Sequence, residues 1–434
     1  MPQISNYRYV PLPVELLIHI FSIALDAYWF DKTHPVLALA SVCAFWHSVA
    51  IGTPSFWQKI KIPPSSFDFI KLQLDHSHQH PLIVDVYSET SLDGSLLALL
   101  VEHSEQWEEV ALTIPEPDYS FLTSVRGRLP RLKRLKIDTY YLSEAPDFDG
   151  FEKAPLLREV IFEPLRDRFS SGFPIPYSQL TKLQCIGCPV RLLYPILTRV
   201  PTLVKLEVIA VDYDRFEISS PALAFPNLQK ATVMECEAPF FYCLLAHTPL
   251  LTELWIYGFA GSGRLDLAAT LTLPLLRSLV IEVAGFDRYL ATVICSLRAP
   301  NLVELDFRGD LEDNEEEDNG LYLRHIQHFV QNSGCRLQSV RILLKAGDPG
   351  TSLAMLSLLG AMPSLDHLVI AIDYLEHIPF SSLTPVSSVL PNLSTFIIYT
   401  AEFDDLAVLN DLVTFAQRRG ELKMQILTSG ELRK

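Results

Sequence analysis

The chain has 434 residues, with 35 Lys and Arg against 51 Asp and Glu, a net charge of −16, and no more than two Lys or Arg in succession. That balance argues against a nucleic-acid backbone or an anionic membrane surface as a general partner. The first residues lack a basic stretch followed by an apolar core, no apolar run approaches the roughly 20 residues that cross a bilayer, and the seven cysteines are scattered as reduced thiols would be. A cytoplasmic or nuclear protein is therefore expected, long enough for a small domain plus an extended array of repeats.

The N-terminal region is dense in large apolar residues. Pro13 stands where the missing N–H of a first helical turn costs nothing, Glu15 suits the positive end of the helix, and Leu16, Leu17, Ile20, Phe21 and Ala24 follow at helical spacing. Thr33, His34 and Pro35 open a second predicted helix with Val36, Leu39, Val42, Cys43 and Trp46 on more than one face, and Thr53-Pro54 starts a short turn that seats Phe56 and Trp57. So short a segment cannot enclose all these side chains in a private core, and part of its surface is expected to be an interface.

The order Leu12-Pro13-x-Glu-Leu16-Leu17-x-x-Ile20-Phe21, then Val42-Cys43-x-x-Trp46, then Trp57 resembles an F-box. The connection from Asp26 to His34 is longer than the compact pattern, as in the large fungal set of such proteins. The resemblance implies docking onto a Skp-type adaptor, and through it onto a cullin and RING ubiquitin ligase. It also implies that Leu12, Pro13, Leu16, Ile20, Val42, Cys43 and Trp46 touch the adaptor or support that surface.

Residues 67–77 are expected to form a helix joining this segment to the remainder of the chain. Beyond that helix, short segments of the form Pro-x-Leu-x-x-Leu-x-Ile recur, for example Pro201-Thr-Leu-Val-Lys-Leu-Glu-Val208 and Pro300-Asn-Leu-Val-Glu-Leu-Asp-Phe307. Their first leucines are Leu132, Leu157, Leu180, Leu203, Leu228, Leu251, Leu276, Leu302, Leu337, Leu365 and Leu393. The spacing is roughly 25 residues, and extending it backwards starts the array near Pro81. The pattern resembles leucine-rich repeats, each giving one strand to a curved parallel sheet and returning along the convex side. Helical returns are expected at Arg191–Arg199, Phe240–Ala246, Tyr289–Leu297, Tyr322–Val330, Leu353–Ala361 and Asp404–Arg419. The acidic insertion at residues 310–319 accounts for the one long step, and removing it restores the period.

Two features that suggest metal chemistry read better as structure. Cys185-x-x-Cys188 has no second ligand pair, and under the repeat pattern Cys185 points inward while Cys188 and Cys236 fall in equivalent slots. His76-Ser-His-Gln-His80 lines up three imidazoles only if that stretch is extended. No phosphate loop, nucleophile elbow or paired carboxylates appear, so neither a cofactor nor a catalytic residue is implied.

Strand alternation assigns the partner-facing positions. With the leucines inward, the outward residues mid-array include Ile209, Met234, Glu253, Trp255, Tyr257 and Val280, aromatics ringed by charge and candidates to hold a target protein. The expected organisation is an α/β chain: a small helical F-box at 1–62, a linker at 63–80, and a leucine-rich-repeat solenoid at 81–434 with a degraded cap from about residue 404. The expected function is the substrate-recognition subunit of a ubiquitin ligase. The competing reading is a scaffold that uses the F-box for binding alone.

Overall fold

The computed structural model describes residues 12–27, 35–62, 66–140, 148–164, 173–209, 223–260, 270–284, 288–310, 319–344, 349–371, 390–400, 417 and 422–428. They divide into two compact units, one within Met1–Glu163 and Ser171–Pro176, the other within Pro164–Ser170 and Tyr177–Lys434.

The first unit opens with three helices, α1 (Val14–Ala27), α2 (Pro35–Ala40) and α3 (Ala44–Ile51). Leu17 and Phe21 of α1 are buried with Val36, Val49, Ala50, Phe56 and Trp57 in one core. One helix was expected across residues 35–46, but the chain breaks between Ser41 and Cys43. Ser41 turns its hydroxyl onto Ala38 O at 2.7 Å, and extended Cys43 caps α3 by accepting the Trp46 N–H at 3.4 Å. A thiol is not among the usual capping groups, which is why this break carried no sequence signal.

Strand β1 (Lys59–Ile62) comes next, then α4 (Phe67–Ser77) over the residues expected to be helical. Pairing thus begins earlier than Pro81, because β1 lies in parallel register with β2 (Leu82–Tyr87), Ile60 against Val84 and Ile62 against Val86. Buried Gln73 of α4 donates to Lys59 O at 3.0 Å, and Trp57 donates to Ala50 O at 2.9 Å. His76 sits in the last turn of α4 against the Trp57 ring, His78 is the cap residue and His80 lies beyond it, so the three imidazoles share no extended strand. After α5 (Gly94–Glu102) come β3 (Trp107–Thr113), α6 (Glu116–Leu122), β4 (Arg134–Asp138) and β5 (Glu159–Glu163). The strands lie in the order β1-β2-β3-β4-β5, all parallel. Tyr119, Phe148, Phe151 and Phe173 fill the interior behind them, with neighbouring ring centroids 5.1 to 6.3 Å apart.

The second unit repeats the scheme: β6 (Lys182–Ile186), α7 (Val190–Leu197), β7 (Lys205–Ile209), β8 (Lys230–Glu237), α8 (Ala238–Leu245) and β9 (Glu253–Ala260). Next come the two-residue β10 (Leu271–Thr272), β11 (Ser278–Ala284), α9 (Arg288–Ser296), two-residue β12 (Leu297–Arg298) and β13 (Glu304–Asp310). The unit closes with α10 (Asn319–Ser333), β14 (Ser339–Leu344), α11 (Pro349–Gly360), β15 (His367–Ala371), β16 (Thr395–Thr400) and β17 (Lys423–Thr428). The strand order is β6-β7-β8-β9-β11-β13-β14-β15-β16-β17, with β10 and β12 paired apart. Sequence neighbours are therefore sheet neighbours, apart from these two short strands, which is the arrangement the repeat predicts. Helices α7 to α11 occupy the expected returns, although Leu297 belongs to a strand. The expected return at 404–419 lies outside the described residues except Gln417, as does the insertion at 310–319 except Asp310, which ends β13, and Asn319, which starts α10.

The repeat signature has a physical reading. Marker leucines such as Leu203, Leu228, Leu251 and Leu276 are buried, as are the residues three and five places on. In four of the Pro-x-Leu segments, the x side chain reaches back to the preceding repeat. Thr202 donates to Leu180 O, Asn301 to Pro274 O, Ser364 to Leu337 O and Asn392 to Pro363 O, at 2.7 to 3.1 Å. Cys188 and Cys236 occupy equivalent slots, donating to Ile186 O and Met234 O. The residue before each thiol has positive φ, +64° at Gly187 and +52° at Glu235. Glycine is at ease there and glutamate is not. Glu235→Gly is expected to stabilise the protein by up to about 1 kcal/mol in urea unfolding, and a loss of stability would contradict this account.

Candidate functional site

Helix α1 carries two apolar rows. Leu17 and Phe21 face the core at 1% and 0% exposure, whereas Leu12 ahead of it and Leu16, Ile20 and Ile23 on it are about half exposed, at 49%, 52%, 46% and 59%. The spacing of three or four residues puts the exposed side chains on one helical face. The break between α2 and α3 adds Val42, 60% exposed, and Phe45, and Leu37 of α2 is exposed as well. Pro13 and Cys43 are also exposed. Trp46 differs: it is half-buried, edge-on to Phe21 at 4.7 Å, so it supports the surface from below. Six of the seven residues singled out by motif are open to solvent and the seventh braces them. Ile23, Leu37 and Phe45 belong to the same exposed set and were missed, although the helical spacing from Leu16 reaches Ile23.

So many large apolar side chains left in water are far from the scatter of single residues expected on a protein surface. Nothing charged lies among them in α2 or at its break, and Glu15 is the one acid in the first turn of α1. What such a surface can do is bury itself against another apolar surface.

The second candidate lies on the sheet face of the second unit. Ile209, Met234 and Tyr257 stand in register across β7, β8 and β9, and Trp255 stands in register with Val280 of β11. All five are half-exposed and Glu253 is exposed, paired with Lys230 at 2.8 Å. Alternation thus placed these residues on the expected face. The Trp255 ring is nonetheless partly roofed, because the Arg308 guanidinium lies 5.7 Å from its centroid. Asp306 holds that arginine through Nε and Nη2 at 3.2 and 2.7 Å, and takes Arg341 at 3.3 Å on the same oxygen. These bonds raise the Arg308 pKa further above its ordinary value. Trp255 Nε1 and Asp306 Oδ1 are buried without a hydrogen-bond partner among the described residues. Trp255 is therefore clasped by Arg308 and Asp306, while Ile209, Met234, Tyr257 and Val280 stay half-exposed beside it. Strand alternation names these residues; only the register shows that they meet.

Among the described residues no group of three or more His, Cys, Asp or Glu side chains is placed to hold a metal, and no helix is long and apolar enough to cross a membrane.

Residues 11–63 match the family model for F-box-like domains. Comparison with the curated proteins gives no match. Among solved structures, the chain is similar to the complex of Rad7 and Elc1 from yeast, at 16% identity over 95% of this chain and 92% of that one, with a TM-score of 0.35. It is also similar to a protein from Bacteroides fragilis, at 13% identity over 74% of this chain and 73% of that one, with a TM-score of 0.33. Scores this low do not define a shared fold, and the architecture rests on the strands and helices described above.

The two faces of α1 are separable by mutation. Phe21→Ala should cost about 3–5 kcal/mol in urea unfolding, whereas Leu16→Ala and Ile20→Ala should change stability by no more than about 0.5 kcal/mol. A Leu16→Ala cost matching that of Phe21→Ala would mean the outer row is core.

Proposed function

We propose that this chain is the substrate-recognition subunit of an SCF-type ubiquitin ligase. The observation that carries the reading is the outer row of α1, with Leu12, Leu16, Ile20 and Ile23 exposed while Leu17 and Phe21 fill the core, inside a segment that matches the F-box-like model. In this reading Leu12, Pro13, Leu16, Ile20, Val42 and Cys43 meet a Skp-type adaptor, with Trp46 as their brace, and the adaptor links the chain to a cullin and RING ligase. The strands and returns form a leucine-rich-repeat solenoid whose concave face recruits a target protein around Ile209, Met234, Glu253, Trp255, Tyr257 and Val280. The chain acts by position. Holding target and ligase together raises the effective concentration of target lysines at the transfer site, and the chain makes no covalent bond itself.

Adaptor binding is tested by co-purifying the full chain with a Skp-type adaptor, comparing wild type with a variant carrying Leu12→Ala, Pro13→Ala and Leu16→Ala. The expected result is a one-to-one complex that the variant weakens at least about tenfold, a loss of about 1.4 kcal/mol or more. No complex with either form would contradict the reading. Target recruitment is tested with Trp255→Ala plus Tyr257→Ala, which should keep the adaptor and remove cullin-dependent partners. An unchanged partner set would place the target elsewhere, and adaptor binding without turnover of any partner would favour a scaffold.

A further inference from the structure

Helices α9 and α10 lie on successive returns of the second unit, and they bring a thiol and an imidazole together. Cys295 Sγ, near the end of α9, is 3.0 Å from His325 Nδ1 on α10, and both residues are partly exposed. The other thiols are differently placed. Cys185, Cys188 and Cys236 are buried, whereas Cys243 on α8 is partly exposed like Cys295. Cys188, Cys236 and Cys335 donate to backbone carbonyls, which take up no proton, and Cys43 is exposed and accepts the N–H of Trp46. A neutral imidazole at hydrogen-bond distance is, by contrast, a base placed to receive the thiol proton.

The surroundings hold the pair neutral at rest. Burial, with His328 and Arg324 nearby, holds the His325 pKa below its ordinary value, so the ring is neutral and its Nδ1 lone pair is available. Burial pushes the Cys295 thiol up, so the resting pair is a neutral thiol and a neutral imidazole, and in the tautomer with its proton on Nε2 the thiol donates to Nδ1. Arg298 opposes that rise. Its guanidinium donates to Leu297 O at 3.0 Å and to Cys295 O at 3.4 Å, which keeps a positive charge beside any thiolate that forms. On the far side Tyr242 and Ser296 share a hydrogen bond that fixes the end of α9.

We propose that Cys295 and His325 form a modification site at which a hydroperoxide oxidises the Cys295 sulfur while His325 accepts its proton. In the step the S–H proton moves to His325 Nδ1 and the sulfur forms a bond to one peroxide oxygen as the O–O bond breaks. The departing hydroxide or alkoxide takes the proton from the imidazolium and leaves as water or alcohol. Sulfur is oxidised by two electrons and the peroxide is reduced by two, giving a sulfenic acid that an external thiol can reduce. Oxidation also removes the S–H···N link between the two helices.

The test treats the full chain with limiting hydrogen peroxide, traps sulfenic acid with a cyclic 1,3-dione, and follows the seven cysteines by peptide mass spectrometry. Cys295 is expected to be labelled first. His325→Gln is expected to lower the ratio of Cys295 to Cys335 labelling by about tenfold or more, somewhat below what a positioned base commonly supplies. Cys335, just beyond α10, serves as the internal reference, since a variant that merely loosens the helices raises both. Earlier labelling of Cys43 or Cys243, or an unchanged ratio in His325→Gln, would overturn the assignment.

Discussion

A single strand bearing Leu-x-x-Leu-x-Ile cannot hide its own apolar side, and the structure depends on the way neighbours solve this. Parallel pairing in register sets Leu206 beside Ala231 and Ala231 beside Leu254, and Val208 beside Val233 and Val233 beside Ile256, so that each buried side chain is enclosed by those one repeat away. A slip of one residue would turn every leucine to water, and the register holds without a shift through β7, β8 and β9, whereas β2 and β3 shift by one residue at Leu82/Ile83. The back-reaching Thr202, Asn301, Ser364 and Asn392 side chains fasten four of the repeats to a carbonyl of the one before.

The same constraint fails at the N-terminus, and the failure is informative. Helix α1 has more apolar surface than its two short partner helices cover. Its inner row closes the core around Phe21 and Trp57, while its outer row is left in water beside Val42 and Phe45. Retaining such a surface is costly in solubility unless something covers it. The proposed function turns this excess into its working part: one apolar face to dock, and an array of strands to present a second surface.

Much of this was legible in the sequence. Periodicity gave the strands, their buried positions and the returns α7 to α11, because the side chains that alternate at period two or 3.6 are those the sheet and helices bury. The motif gave the exposed residues of α1. What it could not give depends on contacts distant in sequence or on unusual chemistry. The break before α3 rests on a thiol cap. Strand β1 carries no Pro-x-Leu signature, and only its Lys-Ile-Lys-Ile alternation hints at it. The Arg308 clasp over Trp255 spans three strands, and the Cys295–His325 contact joins residues of two helices whose relative rotation no single-sequence pattern states.

The central claim is that the outer row of α1 is an occupied interface. The most direct measurement is amide hydrogen exchange of the full chain with and without a purified Skp-type adaptor. The account predicts added protection concentrated in residues 12–23 and 37–46, with the strands of the second unit unchanged. Protection confined to the second unit, or none at α1, would contradict it.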